Sequence, residues 1–127
     1  MNQELLHAFL PTILVAHFEL VDFKKQGNTE TNTLSYEMYL DEKNELPTGV
    51  VASEYESKGF LPASRVQDFP IRGKAVYLII RRRRWRHKQS KQEIKNDYSL
   101  VSKGAKLTQE LSDFLKGTGR DPSRYGK

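Results

Sequence analysis

The clearest chemical signal in this 127-residue chain is a run of five arginines and one tryptophan at residues 81 to 86, RRRRWR. Guanidinium groups match the geometry of phosphate oxygens, and an aromatic face can stack on a base or a sugar. Strand alternation predicts Arg81, Arg83 and Trp85 on one face and the other arginines on the opposite face. Because unpaired charges are costly to bury, both faces are expected to meet water or an anion.

Positive charge is concentrated around this run. Residues 71 to 106 contain twelve Lys or Arg and two acidic residues, whereas residues 1 to 70 contain five Lys or Arg and eleven acidic residues. The net charge of +5 is thus divided between an acidic half and a strongly basic segment, which orients a protein toward a polyanion. The predicted nucleic-acid-binding residues are Arg72, Lys74, Arg81, Arg82, Arg83, Arg84, Trp85, Arg86, Lys88, Lys91, Lys103 and Lys106.

Two structural alternatives stay open for the run. Trp85 fits a place in the core as well as it fits base stacking, since tryptophan is usually largely buried. A solvated hairpin end is the alternative for the arginines, although a solvated face normally mixes charges of both signs. Attachment to a membrane is disfavoured because no amphipathic apolar face or lipidation motif accompanies the charge.

Neither a metal site nor a catalytic centre is expected. The chain has no cysteine, which excludes thiolate ligands and disulfides, and its three histidines stand far apart at positions 7, 17 and 87. The carboxylates Glu54, Glu56 and Asp68 fall in predicted turns, where lone carboxylates usually cap or solvate the backbone. We therefore expect a protein that is not an enzyme, with no catalytic residues, no metal and no cofactor.

The length predicts a single domain over residues 1 to 117, followed by a flexible tail or linker at residues 118 to 127, which contains Gly, Pro, Ser and Arg. No apolar run approaches the ~20 residues of a membrane-spanning helix. The beginning, MNQELLHAF, lacks the positive leader and the cleavage site of a signal peptide, so the cytoplasm is the expected compartment.

The elements that must position the basic run follow from periodicity. Apolar residues at helical spacing predict a helix over residues 3 to 16, which Pro11 should kink or divide. Alternation over residues 34 to 40 predicts the second strand of a hairpin, with Glu37, Asp41 and Glu42 facing out. Residues 43 to 53 are expected to form a loop, and residues 54 to 74 short strands broken by turns.

The basic run itself continues a strand rich in β-branched and aromatic residues, turns at residues 87 to 91 and returns over residues 94 to 100. This arrangement is a basic β-hairpin. A short helix should follow, beginning near Thr108 and ending at Gly117. The predicted class is α+β: an antiparallel sheet of about five strands with the basic hairpin, an N-terminal helix and a short C-terminal helix.

Four segments resemble the N-terminal region of bacterial insertion-sequence transposases: VQDFPIRGKAVYL at residues 66 to 78, RRRRW at 81 to 85, LVSKGAKLTQEL at 100 to 111 and FLK at 114 to 116. The resemblance is to the group that encodes this region as a short protein ahead of the catalytic part. More distant relatives place a cysteine zinc ribbon after such a basic strand. Here His87, Lys88, Gln89 and Ser90 follow instead, so the resemblance implies no metal site, and the hairpin should hold by packing alone.

The resemblance implies recognition of the ends of a mobile element, or help in transposase assembly, with the catalytic acidic triad outside this chain. Double-stranded DNA and a catalytic transposase subunit are the expected partners in DNA transposition and recombination, and a second copy of the chain, forming a homodimer, is a further candidate. Two other functions stay open. The acidic half of the chain suits a protein-interaction module that docks the catalytic subunit, and an RNA-binding protein would use the same arginines and Trp85.

Overall fold

The computed structural model describes residues 9 to 31, 33 to 99 and 106 to 116. Over these residues the protein is α+β, with two helices and seven strands in two sheets, which confirms the predicted class. In chain order the elements are α1 (Thr12–His17), β1 (Phe18–Asn28), β2 (Thr33–Glu42), β3 (Tyr55–Phe60), β4 (Ser64–Ile71), β5 (Lys74–Arg81), β6 (Arg83–His87), β7 (Glu93–Ile94) and α2 (Gln109–Lys116). A single turn of 3-10 helix, Ala52–Glu54, precedes β3.

Helix α1 begins immediately after Pro11. The Pro11 carbonyl accepts the backbone N–H groups of Leu14 and Val15 at 3.0 and 3.2 Å. A proline suits this place because its missing N–H would have no helical partner there. Pro11 therefore starts the described helix, and residues 3 to 8 of the predicted helix lie outside the described residues.

The first sheet has the strand order β1-β2-β5-β4. Strands β1 and β2 form the predicted antiparallel hairpin, and β4 is also antiparallel to β5. Strands β2 and β5 are parallel, whereas the sequence predicted antiparallel pairing throughout. The parallel pair brings two apolar faces side by side, with Met38 beside Leu78 and Leu40 beside Ile80. Burial of these side chains thus selects a pairing that no local turn encodes.

The core lies between one face of this sheet and the two helices. The even-numbered residues of β2 and β5 point to this face, and Leu14 of α1 and Leu111 and Leu115 of α2 pack against them, all fully buried. Glu42 was predicted to face out, but it continues the even-numbered face of β2 and is only 1% exposed. Alternation itself places this carboxylate inward, so the prediction was wrong.

The second sheet has the order β3-β6-β7 and is antiparallel throughout. The basic run is divided between the two sheets, because the chain leaves the first sheet after Arg81 and enters the second at Arg83. Strand alternation does not predict this division. At the break, the carbonyl of Arg82 accepts the backbone N–H of Leu61 at 2.7 Å. The returning strand of the hairpin is short, since β7 contains only Glu93–Ile94.

Helix α2 confirms the predicted C-terminal helix and seals one edge of the first sheet. The Thr108 hydroxyl accepts the N–H of Leu111 at 3.3 Å and donates to the carbonyl of Gln67 on β4 at 2.6 Å. Glu110 accepts the N–H of Gln67 at 3.1 Å, so both backbone groups of Gln67 that point away from β5 are paired.

Lys103 and the predicted tail at residues 118 to 127 lie outside the described residues. None of the described helices is long and apolar enough to span a membrane.

Candidate nucleic-acid interface

Trp85 belongs to the interior and not to the surface. It is 2% exposed, and its Nε1–H donates to Oδ1 of Asn44 at 3.1 Å. In the second sheet it lies between Ser57 on β3 and Ile94 on β7. Of the two alternatives left open by the sequence, the core position is the observed one, and Trp85 has no free face on which a base could stack.

Arg82 is likewise inside, with 6% of its surface exposed. Its Nη2 donates to the backbone carbonyl of Asn96, and its guanidinium carbon lies 5.3 Å from the ring centre of Tyr98 and 5.9 Å from that of Phe114. Arg82 continues the even-numbered, core-facing side of β5, so this side chain points inward. Arg82 therefore serves the packing between the hairpin and α2, and the structure does not place it at a nucleic-acid surface.

A buried carboxylate joins the two sheets next to this arginine. Glu42 Oε1 accepts the backbone N–H of Arg83 at 2.7 Å, while Oε2 accepts Asn96 Nδ2 at 3.0 Å and the Tyr98 hydroxyl. Burial and the contact with Glu42 both raise the pKa of Tyr98, so its hydroxyl stays protonated and donates to Glu42. The end of β2 is thereby fastened to the start of β6.

Three of the arginines in the run form ion pairs: Arg81 with Asp41, Arg84 with Glu93 and Arg86 with Glu56. The first is bidentate, with both donor distances at 2.7 Å, and the bonds to Asp41 raise the pKa of Arg81. Hydrogen bonds from Arg86 lower the pKa of Glu56. Two of the carboxylates come from the acidic half of the sequence, so folding partly neutralises a charge separation that is large along the chain.

The turn of the hairpin carries cations outside these pairs. Lys88 and Lys91 are exposed, and neither forms an ion pair with a carboxylate in the described ranges. His87 shapes the turn, since its Nδ1 accepts the backbone N–H groups of Gln89 and Ser90 at 3.2 and 3.1 Å. The hairpin thus holds by side-chain hydrogen bonds as well as by packing. These two lysines, with Arg84 and Arg86, are the predicted residues that the structure brings together, and we call them the hairpin cations.

Other predicted residues form a separate group at the far end of β5. Arg72 lies in the turn between β4 and β5 with a left-handed φ of 50°, and Lys74 begins β5. Lys106 lies with its Nζ 5.9 Å from the ring centre of Phe69, near the end of β4. At ~3.3 Å per residue, the length of β5 separates this group from Arg81 by roughly 23 Å. The predicted site is therefore not one continuous patch.

A third group of cations lies where the two sheets meet, and the sequence predicted Arg81 and Arg83 of this group but not Arg65. The Arg65 guanidinium lies 3.6 Å from the ring centre of Tyr77, and those of Arg81 and Arg83 lie 4.0 and 4.4 Å from that of Phe60. We call these five residues the arginine–aromatic patch. Alternation indicates that odd-numbered residues of β4 and β5 share a face, but only the strand register, which sets Arg65 opposite Ile79, brings this arginine diagonally against Tyr77.

No group of three or more His, Asp or Glu side chains in the described part of the chain could hold a metal ion. His17 and His87 each lie near one carboxylate, Glu45 at 3.9 Å and Glu54 at 3.6 Å. Comparison with known proteins adds no relative: neither a family model, nor a curated protein, nor a solved structure matches this chain.

Proposed function

We propose that this chain is a non-catalytic, DNA-binding component of an insertion-sequence transposase that contacts duplex DNA through the β6–β7 hairpin. The observation that supports this most directly is the charge of the hairpin, since residues 83 to 95 contain six Lys or Arg and one acidic residue. Ion pairs with Glu56 and Glu93 take up part of the donors of Arg86 and Arg84. The lysines of the turn add positive charge that no described carboxylate pairs.

The shape of the hairpin suits this proposal. A two-stranded β-ribbon has the width to enter the major groove of B-form DNA, and the turn between its strands would enter the groove first. Arginines in ion pairs keep further N–H donors for phosphate, because a guanidinium has five. The element-end recognition and the catalytic partner come from the resemblance to transposases, and the cytoplasmic location comes from the sequence features given above; all three are part of the proposal.

Salt dependence of duplex binding tests the electrostatic contact. With ~4 to 5 phosphate contacts, a plot of log K against log salt should have a slope near −4. The double variant Lys88→Gln/Lys91→Gln should flatten that slope by up to about two units, because two contacts are lost. Fluorescence anisotropy with a labelled duplex, from low to moderate salt, measures both values.

The matched control removes two lysines elsewhere, by the double substitution Lys25→Gln/Lys43→Gln, and should bind like the wild type. Lys25 is exposed and Lys43 is partly exposed, and surface substitutions of this kind usually change the free energy of unfolding by no more than about 0.5 kcal/mol, so the variants remain comparable. A wild-type slope near zero, or hairpin variants that bind duplex unchanged, would remove the hairpin mechanism. Equal affinity for element ends and for unrelated duplexes would remove end recognition.

One observation favours the second candidate, a protein-interaction module that docks the catalytic subunit. Val21, Phe23 and Leu34 lie on the β1–β2 hairpin in the acidic half and are 54%, 40% and 46% exposed. The double variant Phe23→Ser/Leu34→Ser should then lose association with the catalytic transposase subunit, measured by co-purification, while duplex binding stays intact. If instead the hairpin-cation variants lose that association and bind DNA normally, the β6–β7 hairpin is itself a protein docking surface.

A further inference from the structure

The first sheet has one face that neither described helix covers. Helices α1 and α2 both pack on the even-numbered side of β2 and β5, where the core lies. Odd-numbered residues of these strands, with Arg65 of β4, point to the opposite side. Ile79 lies on that side and is nevertheless only 7% exposed. Within the described residues, neither helix shields this part of the sheet, and the long side chains of neighbouring residues lie around it.

Those side chains are arranged as cation–aromatic stacks. The arginine–aromatic patch supplies the Arg65–Tyr77 stack and the contacts of Arg81 and Arg83 with Phe60. A further stack lies across the sheet on β1 and β2, where Lys24 Nζ is 5.0 Å from the ring centre of Tyr39. Arg65 is aligned with Ile79 in the register of β4 and β5, so the stacks on these strands are close neighbours.

The charge of the patch is positive. It contains three guanidinium groups, and one carboxylate, that of Asp41, forms an ion pair with one of them. Arg83 Nε donates to the backbone carbonyl of Glu42, which is neutral, at 2.8 Å. Arg65 has no ion pair with a carboxylate of the described residues. The patch therefore complements an anionic ligand.

The geometry narrows the class of that ligand. A guanidinium that lies flat on a ring presents its outer face for stacking and its N–H edge for phosphate, and nucleobases stack on guanidinium planes as well as on aromatic rings. The Arg81 side chain is 44% exposed despite its ion pair, so its outer side is reachable. A four-stranded sheet face is too broad for a groove of duplex DNA, and duplex bases are already stacked on each other. Unpaired nucleotides fit the patch better.

We propose that the arginine–aromatic patch binds an unpaired DNA strand, with bases stacked on Arg65 and Arg81 and phosphates held by the guanidinium edges. This inference rests on the proposed DNA-binding function and adds a second site to it. Strands lie ~4.8 Å apart in a sheet, so the face has room for roughly two to three bases. One chain would then hold a duplex on its hairpin and a separated strand on its sheet.

The test measures binding of a labelled twelve-nucleotide oligo(dT) and of a labelled twenty-base-pair duplex to the full chain. Arg65→Lys retains the charge and removes the planar stacking face, so it should weaken oligo(dT) binding at least about fivefold. Duplex binding should change less than twofold. Tyr77→Leu, which removes the supporting ring, should act in the same direction. The control Lys25→Gln removes a charge from the opposite side of β1 and should leave oligo(dT) binding unchanged.

Unfolding midpoints by circular dichroism accompany each variant; if Tyr77→Leu unfolds, Arg65→Lys alone decides. The inference is overturned if Arg65→Lys binds oligo(dT) like the wild type. It is also overturned if the Lys88→Gln/Lys91→Gln variant loses oligo(dT) and duplex to the same extent, since one site then serves both. If the wild type binds oligo(dT) through Arg65 and does not bind duplex, the proposal that the hairpin binds duplex is wrong and the proposal for the arginine–aromatic patch is supported.

Discussion

Asp68 on β4 is a carboxylate in an unfavourable place. It is 4% exposed, and its Oδ1 has no hydrogen-bond partner in the described part of the chain. Burial raises the pKa of Asp68, and the backbone hydrogen bond from Phe69 only partly opposes this effect. A charged carboxylate without full hydrogen bonding destabilises an apolar interior. At neutral pH, Asp68 therefore costs the fold free energy.

The substitution Asp68→Asn should raise the unfolding midpoint at pH 7. Because the folded pKa is higher than the unfolded one, the wild type loses stability as the pH rises from 3.8 through the folded pKa. The difference in unfolding midpoint between the variant and the wild type should therefore be largest above that range. It should disappear well below pH 3.8, where the carboxyl is protonated in both the folded and the unfolded state. Thermal unfolding across pH measures it. Asp22→Asn is the control, since exposed Asp22 accepts the N–H of Phe23 in the same local way.

Trp85 allows a second prediction at this scale. Trp85→Ala should lower the free energy of unfolding by about 3 to 5 kcal/mol, the usual cost of removing a large buried aromatic side chain. The hydrogen bond to Asn44 is lost as well. Urea unfolding followed by circular dichroism measures the change, and Trp85→Phe should cost less. A Trp85→Ala protein with an unchanged midpoint and a lost DNA affinity would contradict the core position.

At the scale of elements, local signals predicted well and distant pairings did not. The β1–β2 hairpin follows from alternation around a polar turn, and α2 begins directly after Thr108 because the hydroxyl of Thr108 accepts a backbone N–H of the first turn. The parallel pair of β2 and β5 depends on how two apolar faces pack, which no short window contains. The break at Arg82 is of the same kind, because Leu61 and Asn96 hold it from other parts of the chain.

The candidate site likewise has a part that the local sequence predicts and a part that it does not. The exposed turn with Lys88 and Lys91 was predictable, since a polar cluster between two strand patterns is a turn. The inward position of Arg82 follows from alternation, because Arg82 continues the core-facing even-numbered side of β5. The inward position of Trp85 was not predictable, because the chain changes sheets between Arg81 and Arg83 and alternation does not persist across that break. Arg65 escaped notice because its partner, Tyr77, is set by pairing between strands.

The β6–β7 turn gives a prediction of its own. His87→Ala removes the acceptor for two backbone N–H groups and the edge contact with the Tyr55 ring, whose centre lies 5.1 Å away. Each lost hydrogen bond should cost about 0.5 to 1.5 kcal/mol locally. Hydrogen exchange at Gln89 and Ser90 should therefore become faster, and the rest of the fold should be little affected.

His87→Asn supplies a side-chain oxygen near the position of the lost nitrogen and should restore part of the protection. Duplex affinity should follow the same order, with the wild type strongest and His87→Ala weakest, if an ordered turn presents the hairpin cations. Unchanged exchange at Gln89 and Ser90 in His87→Ala would show that the imidazole does not hold the turn.

At the scale of the whole molecule, folding redistributes the charge that the sequence separates. Asp41 and Glu56 come from the acidic half, and they meet Arg81 and Arg86 of the basic segment. These contacts join distant parts of the chain and leave the positive charge in three places: the hairpin turn, the far end of β5 and the arginine–aromatic patch. The field of the molecule is therefore less one-sided than the sequence suggests.

Stability should not depend on a bound metal. The chain has no cysteine, and its three histidines are dispersed in the sequence. Excess EDTA should therefore leave the thermal unfolding midpoint unchanged, whereas a structural metal would contribute directly to the free energy of folding. A marked fall of the midpoint with chelator, reversed by added zinc, would reveal a site that these residues do not indicate.

The parallel pairing of β2 and β5 also has a consequence for synthesis on the ribosome. When β2 has been made, its inner edge has no partner until β5 follows about 40 residues later, roughly 2 to 8 seconds at a synthesis rate of about 5 to 20 residues per second. Strand β3 waits in the same way for β6, because the two sheets are interleaved along the chain. A nascent chain arrested in this interval exposes unpaired strand edges beside Met38 and Leu40, so early termination yields an aggregation-prone product and not a smaller working domain.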